Sequence, residues 1–205
     1  MRKGRKFLCL LLCAVLLLSM SAAALGANNK YSSWFQTNYD EINKLGLMPE
    51  SFNGLDLTKN ITRGEMCELA VYAFEKATGN DIDMSNETFT GFTDTSNENI
   101  VKAHLYGIVN GYADGTFQPD QTISREQMAA ILYRYAGSPA ASSSALNGFA
   151  DQSAVSSYAV TAMQWAVGNG IITGVSTNGR TTLSAKNNAT RAQVSVMLHR
   201  FLTFE

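Results

Sequence analysis

Three short stretches of one pattern decide how this chain folds: Ile61-Thr62-Arg63-Gly64-Glu65-Met66, Ile123-Ser124-Arg125-Glu126-Gln127-Met128 and Ala189-Thr190-Arg191-Ala192-Gln193-Val194. From each Arg, apolar residues recur at the third, sixth, seventh and tenth positions. They are Met66, Leu69, Ala70 and Ala73, then Met128, Ile131, Leu132 and Tyr135, then Val194, Met197, Leu198 and Phe201. That spacing draws one stripe along an amphipathic helix. Thr62, Ser124 and Thr190 are N-cap residues, and Glu65, Gln127 and Gln193 follow three places later. This is a capping box: the hydroxyl takes the third helical amide, and the Glu or Gln reaches back to the cap amide. Ile61, Ile123 and Ala189, just before the caps, can staple onto the first turn. The spacing predicts a helix starting at each of the three points.

Upstream of each start lies a second repeated pattern. Copy two reads Leu105-Tyr106-Gly107-Ile108-Val109-Asn110-Gly111-Tyr112-Ala113-Asp114-Gly115-Thr116-Phe117-Gln118-Pro119. Copy three reads Gly168-Asn169-Gly170-Ile171-Ile172-Thr173-Gly174-Val175, with Thr182-Leu183 after three extra residues, and copy one keeps Leu45-Gly46-Leu47-Met48-Pro49. Apolar pairs three apart precede the glycine: Tyr39 and Ile42, Ile100 and Ala103, Met163 and Ala166. A first helix is therefore expected to end at Gly46, Gly107 and Gly170, each a C-cap glycine. Phe92-Thr93-Asp94 and Phe149-Ala150-Asp151 read as a lead-in turn with an Asp to cap.

The repeated unit is helix, Gly-rich loop, helix, with copies at 28–90, 91–148 and 149–205. The joints at 78–90 and 137–148 are polar and rich in small residues, as linkers are. One helix pair cannot bury a stripe on both helices, whereas three pairs packing their long helices together can. The expected architecture is all-α: three tandem helix-loop-helix repeats in one pseudo-threefold helical bundle.

The N-terminus reads as an address. Arg2 to Lys6 is cationic, Phe7 to Met20 carries no charge, and small residues follow through Ala27. This is the layout of a secretory signal peptide over 1–27, and its apolar core is too short to span a bilayer. No membrane contact is expected after cleavage. Two of the three cysteines lie in that segment. Cys67 is left alone in an apolar helical run, where it reads as a buried small hydrophobe.

Of 205 residues, 45% are hydrophobic and 16% charged, ordinary for a folded protein. Four of the sixteen basic residues belong to the leader, so the body has twelve basic against seventeen acidic residues, a net of −5. An acidic body argues against nucleic acid as the partner. His104 and His199 are far apart in the repeat frame, so no metal site is expected. Asn110 to Gln121 has Tyr112 and Gln121 where a calcium loop needs carboxylates. No nucleophile motif and no cofactor site is present, and an enzyme is not expected.

The Phe-x-Asp opening, the Gly-Ile-x-x-Gly-Tyr-x-Asp-Gly-Thr-Phe-x-Pro loop and the Thr-Arg-Ala-Glu-like helix start resemble the S-layer homology domain family. Copy two fits nearly throughout, from Phe92 to Tyr135. Copy three fits from Phe149 to Phe201 without the Asp-Gly-Thr-Phe-x-Pro loop. Copy one keeps Trp34 to Leu47 and Ile61 to Phe74. The resemblance implies a three-lobed module that holds exported proteins at a bacterial cell wall or cell surface. The implied partner is a secondary cell-wall polysaccharide associated with peptidoglycan, typically pyruvylated, bound in grooves between neighbouring repeats. The family's groove Arg falls on Arg63, Arg125 and Arg191, and Gly111, Tyr112, Asp114 and Gly174 join them as loop contacts.

The residues themselves support an anion. An Arg at the first helical position opposes the helix dipole, and three such placements suggest a ligand anion met by free first-turn amides and a guanidinium. The alternative is inheritance by duplication, with the Arg paired to Glu65 or Glu126. With a net-negative body, binding must come from local donors and stacking rather than long-range attraction. Tyr112, Tyr158 and Trp165 are candidate stacking residues, and Trp165 is expected to be exposed because Glu41 and Lys102 align with it. Phe117 aligns with Leu55 and Leu183 and reads as core. Arg63 is expected to matter least, because copy one has the eroded loop. Two other functions stay open: a self-assembling surface-layer component, with self-association as its contact, and an accessory fragment of a larger surface enzyme system.

Overall fold

A computed structural model describes residues 29–85, 88–89, 91–177 and 179–204. The expected leader lies outside the described residues. Six α-helices are found among them: α1 (Gln36–Lys44), α2 (Arg63–Thr78), α3 (Glu98–Leu105), α4 (Arg125–Tyr135), α5 (Val160–Gly168) and α6 (Arg191–Thr203). Short 3-10 turns precede α1 and α5 and follow Pro49. A two-stranded antiparallel hairpin, β1 (Val175–Thr177) and β2 (Arg180–Thr182), pairs Val175 with Thr182. It absorbs the extra residues of copy three. The architecture is all-α in three helix-loop-helix pairs, as the repeats predict.

All three capping boxes form. Thr62, Ser124 and Thr190 accept from the amides of Glu65, Gln127 and Gln193, whose side chains accept the cap amides in return. The first helix of each pair ends where the glycines stand, with φ of 63° at Gly46, 76° at Gly107 and 68° at Gly170, a left-handed turn that favours glycine. The stripes bury as spaced, except that Tyr135 and Phe201 are only partly buried. Tyr39, Ile42, Ile100, Ala103, Met163 and Ala166 are buried on the first helices. The joints are less slack than their composition suggests: Ile82 and Leu146 are buried, and the Ile82 amide donates to Glu75 at 3.0 Å.

The pairs interlock cyclically. Each second helix packs on the first helix of the next copy: α2 on α3, α4 on α5, α6 on α1. The long helices also meet in the middle, with α2 against α6 and the rings of Phe74, Tyr135 and Phe201 in mutual contact at 4.8–6.0 Å. At the other end, backbone hydrogen bonds close a ring of three. Ile61 donates to Ala189, Ala189 to Ile123, and Ile123 to Ile61, at 3.0, 2.8 and 3.4 Å. All three residues are fully buried. A ring that closes in this way leaves no unit with a free seam, and it fixes what lies between units.

Asp94 and Asp151 do not cap helices. The cap of α3 is Asn97, whose side chain accepts from the amides of Asn99 and Ile100. Asp94 accepts from Phe117 and Gln118 at 2.8 and 2.7 Å, and Asp151 from Leu183 and Ser184 at 2.7 and 2.8 Å. Gln118 and Ser184 have φ of 58° and 48°, a left-handed backbone that side chains rarely adopt. The carboxylate anchors each loop through that strained turn. The two amide bonds, Phe117 first, hold Asp94 below the usual carboxylate range.

Candidate inter-repeat anion grooves

Three equivalent seams run round the molecule, each between the start of a second helix and the loop of the next copy. At the first, the amides of Arg63 and Gly64 donate to the carbonyls of Gln121 and Pro119. At the second, Arg125 and Glu126 donate to Asn187 and Ala185. At the third, Arg191 and Ala192 donate to Lys59 and Leu57. The third helical amide in each case is taken by the cap hydroxyl. The first-turn amides are therefore not free for an anion, contrary to the expectation from position alone. The next copy's loop satisfies them, and its carbonyl dipoles offset the dipole conflict of an Arg at the first helical position.

The guanidinium groups brace the same seams. Arg63 Nε donates to Phe117 O at 2.9 Å, with a longer bond from Nη2 to Asn110 O. Arg125 Nε donates to Leu183 O at 2.8 Å and its Nη2 to Thr173 O at 2.9 Å. Arg191 Nη1 donates to Asp56 O at 3.1 Å, while Nε and Nη2 fork onto the two oxygens of Glu65 at 3.1 and 2.6 Å. Each Arg serves the loop of the following copy rather than its own. Arg63 thus belongs with the intact loop of copy two, and Arg191 with the eroded loop of copy one.

Of the loop residues singled out in the sequence, the structure places Tyr112 beside Arg63, 5.0 Å from guanidinium carbon to ring centroid, with Phe117 on the same cation at 4.4 Å. Tyr112 is 41% exposed and Phe117 fully buried. Gly111 and Gly174 are required by packing. A Cβ at Gly111 would meet the Phe92 ring at 2.3 Å, and one at Gly174 would meet Phe149 at 2.6 Å and the Thr181 methyl at 2.4 Å. Asp114 turns back onto the Thr116 amide and hydroxyl at 2.9 and 2.7 Å, which, amide first, holds its carboxyl below the usual range. Tyr158 is exposed and its hydroxyl reaches Glu126 at 3.3 Å, a contact that, after burial, raises its phenol to about 12.

Trp165 is not exposed. It is 3% accessible and packs against Tyr133, Phe201 and Phe204. Of the residues aligned with it, Glu41 is exposed on α1 and Lys102 on α3 is half-buried in ion pairs with Glu75 and Glu98; in copy three the same helical position meets the C-terminal aromatics and becomes core. Glu126 is also buried, yet it pairs with neither Arg125 nor any other cation among the described residues. It accepts from Ser156 N and Oγ at 3.0 and 2.7 Å, tying copy two to copy three.

The second seam opens into a cavity of about 300 Å³. Its wall includes Arg125 and Arg200, the residues from Ile171 to Ser176, Gln193, and Trp34 from copy one. Trp34 is 52% exposed, whereas Arg125 is 4% exposed. Burial lowers the pKa of both arginines, and the charge of Asp151 partly offsets this for Arg125. Both remain cations in any case, since guanidinium does not deprotonate in proteins. No carboxylate among the described residues lies within ion-pair distance of either. Two partly desolvated cations beside an exposed indole suit a carboxylate-bearing sugar. Arg200 and Trp34 were not singled out in the sequence. The signal for Arg200 was present: Arg134 stands at the same helical position, nine residues after the first Arg.

The S-layer homology domain model matches residues 92–129 and 148–195, which fall on copies two and three. Those two copies are S-layer homology domains. Copy one lies outside the matched residues; it shares with the other two the capping box, the glycine turn and the seam bonds. The Surface-layer 125 kDa protein of Lysinibacillus sphaericus is 28% identical over 207 aligned positions, covering 97% of this chain and 17% of its own length. The chain therefore spans about a sixth of that curated relative. Among the described residues no helix is long and apolar enough to cross a membrane, and no group of His, Cys, Asp and Glu is placed to hold a metal.

Proposed function

We propose that this chain is an exported, non-catalytic anchoring module that holds to a bacterial cell surface by binding an anionic, pyruvylated secondary cell-wall polysaccharide in the seams between its repeats. The observation that carries this reading is the cavity at the second seam, where Arg125 and Arg200 line a common space with no carboxylate in ion-pair contact among the described residues and Trp34 stands exposed beside it. In this reading Arg200 and Arg125 take the carboxylate, Trp34 stacks on the sugar face, and Gly174, packed against Phe149 and Thr181, forms part of the wall. At the first seam Arg63, Gly111 and Tyr112 form the corresponding set. Asp114 shapes the loop. Trp165 holds α5 and α6 together, and the stacking role expected of it passes to Trp34.

The test is co-sedimentation of the full chain with purified cell walls, before and after chemical extraction of the secondary polymer, and after mild acid removal of its ketals. Loss of binding at both treatments is expected. The relative's name, a surface-layer protein, favours a second reading, a self-assembling layer component. Sedimentation of the protein alone, unchanged by the presence of walls, would support that one instead.

A further inference from the structure

The third helical residue of each capping box does two jobs, and it differs among the seams. Glu65 accepts the Thr62 amide at 3.1 Å and also neutralises Arg191 from the preceding copy. Gln127 and Gln193 fill the same position and accept the Ser124 and Thr190 amides at 2.8 and 3.1 Å, so the helix start is kept while the charge is gone. Arg125 shares its cavity with Gln193, and by the same repeat position Arg63, which meets copy two, has Gln127 where Arg191 has Glu65.

A second difference runs the same way. Nine residues after the first Arg stand Arg134 on α4 and Arg200 on α6, but Tyr72 on α2. Arg200 shares the second seam's cavity with Arg125, and Arg134 holds the same position on the copy-two helix relative to the first seam, where the charge of Arg63 acts on it. No carboxylate among the described residues is within ion-pair distance of Arg63, Arg134, Arg125 or Arg200. The first and second seams thus each carry two cations with no carboxylate in ion-pair contact among the described residues. The third carries one cation, already paired with Glu65 at 2.6 Å. A guanidinium fork that is occupied by a carboxylate of its own protein must release it before taking another.

We infer that the Gln or Glu at the third helical position sets the valence of the module, leaving two seams receptive to an anionic sugar and the third closed by its internal ion pair. The inference rests on the anionic-sugar reading above. Two receptive seams on one rigid body would engage two residues of one polymer, or two polymers, with the gain that linked binding brings.

The test is titration calorimetry of the full chain with the methyl glycoside of a 4,6-pyruvate-ketal hexosamine. Two sites are expected. Gln127→Glu and Gln193→Glu should each leave one, and together none, while thermal melts confirm that the capping boxes survive. Glu65→Gln with Tyr72→Arg should add a third. Binding that keeps its stoichiometry in the Gln→Glu variants, or a wild-type stoichiometry of one or three, would overturn the valence assignment and leave the anchoring function standing. No heat from any chain would overturn both.

Discussion

The Ile61 amide donates to the Ala189 carbonyl at 3.0 Å, joining the residue before the first long helix to the residue before the last. With the equivalent bonds at Ile123 it makes a buried three-membered backbone ring, and every seam of the molecule radiates from it. The units are therefore parts of one closed body, and their energetics should be shared.

Cleavage within 137–148 followed by separation should leave 149–205 without a native fold. The stripe on α6 packs against α2 and α1, both on the other fragment. Circular dichroism melts of the isolated fragment should show no cooperative transition; a sharp one would mean that copy three folds alone.

Leu69, Leu132 and Leu198 occupy one position of the three stripes and are essentially inaccessible. Each Leu→Ala change should cost about 2–5 kcal/mol, the range for truncation in a packed core. Urea denaturation of the three variants measures this, and a cost under about 0.5 kcal/mol, typical of a surface site, would exclude that copy from the shared core.

Arg125→Ala should destabilise the protein, by about 1–3 kcal/mol, because it strands the Leu183 and Thr173 carbonyls at the second seam. Dipole reasoning from the sequence gives the opposite sign, since a cation at the first helical position should be better removed. Arg200→Ala makes only marginal contacts at 3.4–3.5 Å, so it should weaken polymer binding with little change in the melt. Arg191→Ala should have the mildest effect on binding, in place of Arg63→Ala, because Glu65 already occupies its fork. Paired melts and wall sedimentation separate the two effects.

His199 Nδ1 is buried without a hydrogen-bond partner among the described residues. Burial, with the charge of Arg200, lowers its pKa below 6.5, and Glu41 on α1 only partly offsets this. The unfolded chain then binds more protons than the folded one just below pH 6.5, so stability falls as pH drops from 6.5 toward the lowered value. Asp94 acts in a separate window, being stabilising above its ordinary 3.8 and losing that contribution as pH falls through its lower folded value. Melting temperature against pH should show the first decline in the wild type and not in His199→Phe.

The helices, caps and stripes were legible because they are local: a capping box and a 3.6-residue period are complete within a few residues. The seam partners were not, because Arg191 meets Glu65 and Asp56 only after the ring closes. The same closure explains why Asp94 and Asp151 read as caps. Their amide partners lie 23 and 32 residues away in sequence, beyond any local signal. Trp165 shows a different limit, since copies related in sequence need not share burial once one of them packs against the chain's last aromatics.

Tryptophan fluorescence tests the central claim most directly. The chain has two tryptophans, Trp34 exposed at the cavity and Trp165 buried. Adding the polymer's pyruvylated fragment should alter the emission of the wild type and shield it from acrylamide, and Trp34→Phe should abolish the response while the Trp165 signal stays constant. A fragment that binds with no change at Trp34, or a response that persists in Trp34→Phe, would contradict the placement of the ligand in the second seam.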